Sequence, residues 1–319
     1  MNWNESKTTR TTSTEEGQLI PSLIKLSDVT EIELLILKRM RDVTIGDHRS
    51  NSNGSGFDFT GLRDWQPGDR PAAIDWTQSM INNFSPLVVR DFEQPSSAAV
   101  VAISDKSLST RCGVNGIPIA TGIARAIATI GLSTVLSQDL FGIVTFDNDF
   151  RHLNAVQPRV GRNQVIHCLN AYEHGTGVQK LKTTPSWSTT LLSFLPRTTL
   201  LPFVSDFLFS DPRQVLSELS LLNSSHDVFV VLVDASFAFE LPHVSAGWIE
   251  TYDIESGNSQ LMPRKMLNAM ANQVRTWQDE VTQIAKDLNI DLVRTGINEI
   301  TSDLALAEFM AERRLRKVA

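Results

Sequence analysis

Between Ala98 and Thr295 the chain repeats one pattern: a short run of almost wholly apolar residues, then a stretch with apolar residues at helical spacing. The runs are AAVVAIS (98–104), LFGIVTF (140–146), TLLPFVS (199–205), DVFVVLVD (227–234) and DLVRT (291–295). A strand with one face in water alternates apolar and polar residues, whereas one that is apolar throughout has both faces covered. Helical spacing follows at 118–136, 163–173, 188–195, 212–222, 264–288 and 303–316. Strands alternating with helices predict an α/β domain: a doubly wound, mostly parallel sheet with helices on both faces. Residues 246–261 read as a hairpin inserted before the longest helix, with Ser256-Gly257 near its turn.

Composition bounds what this sheet can serve. With 319 residues, 41% of them hydrophobic, the chain can bury a full core without staples. A net charge of −7 argues against a general nucleic-acid binder, which needs a basic face to displace counterions. The two cysteines, Cys112 and Cys168, have no metal-ligand spacing and form no disulfide framework, which fits a reducing compartment. The longest apolar stretch, Gly116 to Leu136, carries Arg125 in its middle and Pro118 near its start, so it reads as a buried core helix rather than a membrane span. The polar stretch from Met1 to Gly17 lacks the apolar segment of a signal peptide. The expectation is a cytoplasmic protein with no membrane insertion. Residues 1–27 are expected to form a disordered tail, residues 28–96 an N-terminal helix and a charged segment packed on the core, and residues 97–319 the α/β domain.

In an open parallel sheet, ligands bind beyond the carboxyl ends of the strands. The first core strand ends in Ser104-Asp105-Lys106-Ser107-Leu108-Ser109, an Asp-x-Ser-x-Ser triplet. The third ends in Ser205-Asp206, and Thr183 and Thr184 lie just before a helix between them. Two carboxylates, two serines and a threonine form an oxygen-only donor set suited to a hard cation such as Mg²⁺, which retains several waters. The predicted ligands are therefore Asp105, Ser107, Ser109, Thr183 (or Thr184) and Asp206. The same residue types also form turns and cap helices, so Asp206 and Asp211 could simply start the next helix.

Several segments carry a resemblance. GSGFDFTGLRDWQPGDRPAAIDW (54–76) is similar to a Gly-x-Gly-x-x-Phe-x-x-x-Arg-x-Tyr-x-x-Gly-Asp signature ending in Ile-Asp-Trp, and LVVRDFEQ (87–94) resembles the strand that leads into the core. ISDKSLS resembles a metal loop, FVSDF the later aspartate, and the stretch from Val230 to Gly257 an acidic, Gly-containing C-terminal part. Together they resemble the bacterial domain-of-unknown-function-58 family, which is von Willebrand factor A (vWA)-like. The likeness runs over about residues 40–316. It departs at Ala72, Met80 and Ile81, at Trp65 in place of tyrosine, and at Lys106 beside the metal loop. The resemblance implies a metal-ion-dependent adhesion site and a partnership with a MoxR-type AAA+ ATPase, in assembly or activation of a client complex.

Other residues point elsewhere less strongly. The charges Arg63, Asp64, Asp69, Arg70 and Asp75, flanked by Trp65 and Trp76, are expected to pair and to anchor the segment on the sheet. None of His48, His152, His167, His174, His226 and His243 forms a zinc-type pair, and Cys168 lies in an apolar helical pattern, as a core thiol would. Gly54-x-Gly56 is not a phosphate loop, because no Gly-Lys-Ser/Thr follows. The basic end RRLRKVA reads as a solvated helix terminus or a dock for an acidic partner. The expected function is a non-enzymatic protein-binding module. The alternatives are a metal-dependent hydrolase using the same carboxylates and a metal-free scaffold.

Overall fold

The computed structural model describes residues 22–46, 58–67, 71, 74–93, 98–182, 186–195, 197–239, 247–252, 259–297 and 299–318. Its centre is a seven-stranded sheet. In chain order the strands are β1 (Ala99–Asp105), β2 (Leu140–Phe146), β3 (Leu153–Arg159), β4 (Gln179–Leu181), β5 (Thr199–Ser205), β6 (Asp227–Val233) and β7 (Asp291–Thr295). In space they run β7-β6-β5-β1-β2-β3-β4. The five strands from β7 to β2 are mutually parallel, and β3 and β4 add an antiparallel edge. The mostly parallel sheet expected from the apolar runs is therefore present.

The antiparallel edge is the part the apolar runs did not announce. β3 (LNAVQPR) mixes buried Leu153, Ala155 and Val156 with exposed Gln157 and Arg159, because only part of it is covered. Pro158 cannot donate to a ladder, and it sits beyond the three residues that pair with β4. The chain thus leaves β1 outward through β2, β3 and β4, returns to the other side of β1 as β5, and continues outward through β6 and β7. The order reverses between β1 and β5, which makes the gap between their carboxyl ends the topological switch point.

Seven helices accompany the sheet: α1 (Leu26–Gly46), α2 (Ile119–Leu136), α3 (Arg162–His174), α4 (Trp187–Phe194), α5 (Pro212–Asn223), α6 (Arg264–Asp287) and α7 (Ile300–Val318). Alternate residues of each strand feed two separate cores. Val100, Ala102, Phe141, Ile143, Phe229 and Val231 pack with α1, α2, α3 and α7. Val101, Ile103, Val144, Phe146, Phe203 and Val230 pack with α4, α5 and α6. Period-two alternation sends neighbours in a strand to opposite faces, which is why both must be apolar. α2 is long and apolar enough to cross a membrane by composition alone, yet its residues from Ile119 to Leu132 are nearly all buried inside the protein. It lies close on the sheet and on α3 because Gly122 and Gly131 carry no side chain: a Cβ there would meet Val233 of β6 and Val165 of α3, each at 2.8 Å.

The N-terminal part divides in two. The chain is docked already at Ser22, ahead of the boundary expected at residue 28. Ile24 is buried, and Glu173 of α3 accepts hydrogen bonds from the Leu23 amide and the Ser22 hydroxyl. From there Val29, Ile32 and Ile36 carry α1 into the core. The charged segment that follows is different. Strands Asp58–Asp64 and Val88–Glu93 pair antiparallel, and a short helix, Trp76–Ile81, is capped by Asp75, which accepts from the Thr77 and Gln78 amides. Ser79 ties that helix to Val88 through its hydroxyl. The Trp65 and Asp75 amides donate to the Leu87 and Val88 carbonyls within the segment, and its buried Val88 and Val89 belong to neither core. Trp65 and Trp76, expected as anchors, stay on the surface at 38% and 58% exposed. The expected hairpin before α6 is present as strands Trp248–Tyr252 and Ser259–Pro263; Ser256-Gly257 lies outside the described residues.

Among the described residues, ion pairs tie α2 to α7 and α7 to the sheet. Arg125 of α2 meets Asp303 of α7 at 2.5 Å, with the two side chains 7% and 8% exposed. Arg313 is not the solvated helix end that the basic tail suggested. It pairs with Asp227 at 2.5 Å and with Asp291, and its guanidinium lies over the rings of Phe229 and Phe309. Removing one partner of a buried pair leaves an uncompensated charge. Asp303→Ala is therefore expected to lower the unfolding free energy by about 3–5 kcal/mol, measured by urea denaturation. Arg125→Met combined with Asp303→Leu should recover most of that loss.

Candidate functional site

Asp105 is the last residue of β1, and Asp206 follows directly on β5. Because β1 and β5 are parallel neighbours with Ser104 level with Val204, both carboxylates arrive at the switch point together. Both residues are 0% exposed. Each is fixed by the loop that it begins. Asp105 Oδ1 accepts the Ser107 amide at 2.8 Å, and Oδ2 accepts the Ser205 hydroxyl at 2.6 Å. Ser205 Oγ in turn accepts the Phe207 amide, and Asp206 Oδ1 accepts the Leu208 amide at 3.0 Å. Phe207 holds a left-handed φ of 56°, a strained value for a bulky residue, which turns the chain sharply after Asp206. Asp206 does not cap the next helix. That role falls to Asp211, which accepts the Gln214 amide.

The serines close the gap between the carboxylates. Ser107 and Ser109 hydroxyls lie 2.9 Å apart, and Ser109 Oγ donates to Asp206 Oδ2 at 3.1 Å. Asp105, Ser107, Ser109 and Asp206 thus form one continuous cluster. Thr183 and Thr184 lie outside the described residues.

Helices from both faces steady the strand ends. Tyr172 of α3, wholly buried, donates its hydroxyl to the Asp105 carbonyl at 2.9 Å. From the opposite face, Gln278 of α6 donates to the carbonyls of Asp206 and Val233, and Trp277 donates to that of Phe207. Sequence reading passed over Ser205, Tyr172 and Gln278. Ser205 was recoverable, since it precedes the aspartate at the strand end. The other two lie far away in sequence, on helical patterns that carry no polar motif.

Burial is the main electrostatic fact. It pushes the Asp105 carboxyl above the ordinary range, partly offset by the Ser107 and Ser205 hydrogen bonds. Burial and the neighbouring Asp105 charge push Asp206 up to about 7. Tyr172 is raised well above its usual value by burial and by the two carboxylates. Among the described residues neither carboxylate has an ion-pair partner. Lys106 turns away: its ammonium lies near Gly175, the left-handed cap that ends α3, where a helix carboxyl terminus favours a cation. Two carboxylates held together in low dielectric repel each other unless a proton or a cation intervenes. The donor set therefore fits a hard divalent ion: acid and hydroxyl oxygens, with charge to be neutralised and no competing ammonium.

The other titratable candidates are structural. Cys168 is fully buried, and burial pushes its thiol up to about 12, so it is an inert core group. His226 accepts the Thr199 amide, and His152 pairs with Asp147 on the surface. Among the described residues no group of three or more His, Cys, Asp or Glu gathers anywhere, so any cation here would rely on hydroxyls as well as acids.

Asp206 gives a stability test in the metal-free protein. Its folded carboxyl titrates at about 7, against an ordinary 3.8 in the unfolded chain. Between those values the folded state holds a proton that the unfolded state has released. Stability from this group is full below that window and falls as pH rises through it, by up to about 1.4 kcal/mol per unit. With EDTA present, wild type is expected to lose stability relative to Asp206→Asn between about pH 4.5 and about pH 7.5, read by urea denaturation. Parallel profiles would show that the carboxylates do not repel.

Compared with known proteins, the chain matches the family described as Protein of unknown function DUF58 over residues 61–283. Among solved structures it is similar to conserved hypothetical protein BatB from Bacteroides thetaiotaomicron, at 16% identity over 68% of this chain and all of that one, with a TM-score of 0.37. It is also similar to an aerotolerance-related membrane protein from Bacteroides fragilis, at 14% identity over 67% of this chain and all of that one, with a TM-score of 0.38. At these identities and scores neither likeness bears on what the chain does. No curated protein matches it. The family match covers well over half of the chain, and the protein belongs to the family known as Protein of unknown function DUF58.

Proposed function

We propose that this protein is a vWA-like binding module in which a divalent cation, Mg²⁺ or a similar ion, completes an adhesion-type site. Ser107 and Ser109 would ligate it directly, with Thr183 or Thr184 as a further ligand, and Asp105 and Asp206 directly or through water. The observation that carries this reading is the fully buried carboxylate pair, without an ion-pair partner among the described residues and bridged by two hydroxyls at the switch point of the sheet. When bound, the ion would offer an open position to a carboxylate from a partner protein. The module acts by binding rather than by catalysis: among the described residues, no histidine is hydrogen-bonded to either carboxylate to serve as a general base. The partner in this reading is a MoxR-type AAA+ ATPase, and the site of action is the cytoplasm, with α2 engaged by the core of the sheet.

Asp105→Asn separates the site from the fold. The amide keeps an acceptor for the Ser107 N–H but removes a charge, so stability without metal should hold or rise slightly. Wild type is expected to gain about 2.7 kcal/mol at Mg²⁺ a hundredfold above its dissociation constant, and the variant to gain nothing. A MoxR-type ATPase from the same organism should be retained by wild type in Mg²⁺, but not by wild type in EDTA or by the variant in either. Equal recovery in all four conditions would make the protein a metal-free scaffold.

A further inference from the structure

A cavity of about 500 Å³ lies beside the loop that follows β1. That is the size of a small-molecule site. Four parts of the chain wall it: the segment that enters α1, the 3₁₀ turn Ser109–Arg111, the tight hairpin Gly113–Val114 and Ile117–Pro118, and one face of α2. Pro118, Thr121 and Arg125 fall on that face because they are three and four residues apart. The hairpin turns at Asn115-Gly116, both with positive φ, and it closes tightly at Gly113, where a Cβ would fall 2.1 Å from the Ile117 carbonyl oxygen. The wall is therefore built rather than incidental.

Its lining combines basic and apolar residues. Lys25, Arg111 and Arg125 all line it, against a single acid, Asp28. Asp28 is engaged by the Lys25 amide and the Ser27 hydroxyl at the start of α1. Neither Lys25 nor Arg111 has an ion-pair partner among the described residues. Arg125, only 6% exposed, gives one guanidinium nitrogen to Asp303, while its Nε has no hydrogen-bond partner. A buried donor without a partner is costly, and natural proteins rarely leave one unmet. Ser22 and Thr121 add hydroxyls, and Leu23, Ile24, Ile117 and Pro118 supply apolar surface.

We propose that this cavity binds a small organic oxyanion, a phosphate or carboxylate carried on an apolar body. The cations of Lys25 and Arg111 meet the anionic head, with Arg125 behind them, and the apolar wall covers the rest. Inorganic phosphate alone would leave most of the space unfilled. Arg111 closes the same 3₁₀ turn that begins at Ser109, so the cavity and the carboxylate cluster share a loop but no ligand.

The test is calorimetric titration of the full chain in EDTA, at constant ionic strength. The probes are phenyl phosphate and benzoate, with inorganic phosphate and chloride for comparison. Saturable binding of at least one aromatic anion is expected, about tenfold or more tighter than inorganic phosphate. Binding of phenyl phosphate alone assigns a phosphate head, and of benzoate alone a carboxylate. Arg111→Glu should abolish it by reversing a surface charge. Thr121→Trp should abolish it by filling the space while leaving the Arg125–Asp303 pair intact. Circular dichroism reports whether each variant is folded. Asp105→Asn should bind as wild type does, which separates this site from the metal proposal. The idea is overturned if neither aromatic anion saturates the folded protein, if the two folded cavity variants bind normally, or if binding is lost in Asp105→Asn.

Discussion

Two carboxylates, each wholly removed from water and neither ion-paired among the described residues, set the terms for everything around them. Burying one ionised carboxylate is expensive, and burying two side by side more so. The surrounding structure meets the cost in part. The Ser107 amide and the Ser205 hydroxyl hold Asp105, and the Leu208 amide and the Ser109 hydroxyl hold Asp206. The remainder falls to a proton or a cation. The sharp turn at Phe207 and both helical layers clamp the strand ends that carry the carboxylates, with Tyr172 on one side and Gln278 on the other.

The clamps work because the sheet is covered on both faces. Each strand contributes alternate side chains to two independent cores, so a helix on either side is fixed against the same strand ends. α2 is pinned between the sheet and α7 by the Arg125–Asp303 pair, and α7 is pinned to β6 and β7 by Arg313. Arg125 also bounds the cavity beside the loop that follows β1, so one buried guanidinium both ties helices together and lines that cavity. The described residues of the hairpin segment between Asp58 and Glu93 belong to neither of the two cores. It organises itself through Asp75 and Ser79, and it leaves Trp76, Met80, Ile81 and Phe84 exposed.

How much was legible depended on whether the signal was local. An apolar run flanked by helical spacing announces a doubly covered strand, so β1, β2, β5 and β6 could be read to within a residue, whereas β7, half-exposed at the sheet edge, was read from its place in the alternation. β3 and β4 could not, because a partly covered edge strand has no continuous apolar run and Pro158 argued against one. The hairpin at Asn115-Gly116 carried a turn dipeptide that favours positive φ, but it lay inside a stretch whose dominant signal was the apolar helix that follows. Asp105, Ser107 and Ser109 were visible as a triplet, since three oxygens on alternate residues after a strand are a local pattern.

What the sequence determined by itself was therefore the class of fold, the strands covered on both faces, and the polar residues stationed at their ends. Period-two and helical periodicities are properties of neighbouring residues, and they survive without knowledge of contacts. What only the tertiary structure decided was which strand ends meet. The return of the chain from β4 to the far side of β1 brings Asp206 to Asp105, and it raises the Asp206 carboxyl by burial beside a like charge. The same folding turned Lys106 away from the cluster and drew Arg313 out of solvent. Charge, burial and pairing are set by residues distant in sequence, so no local pattern could have stated them.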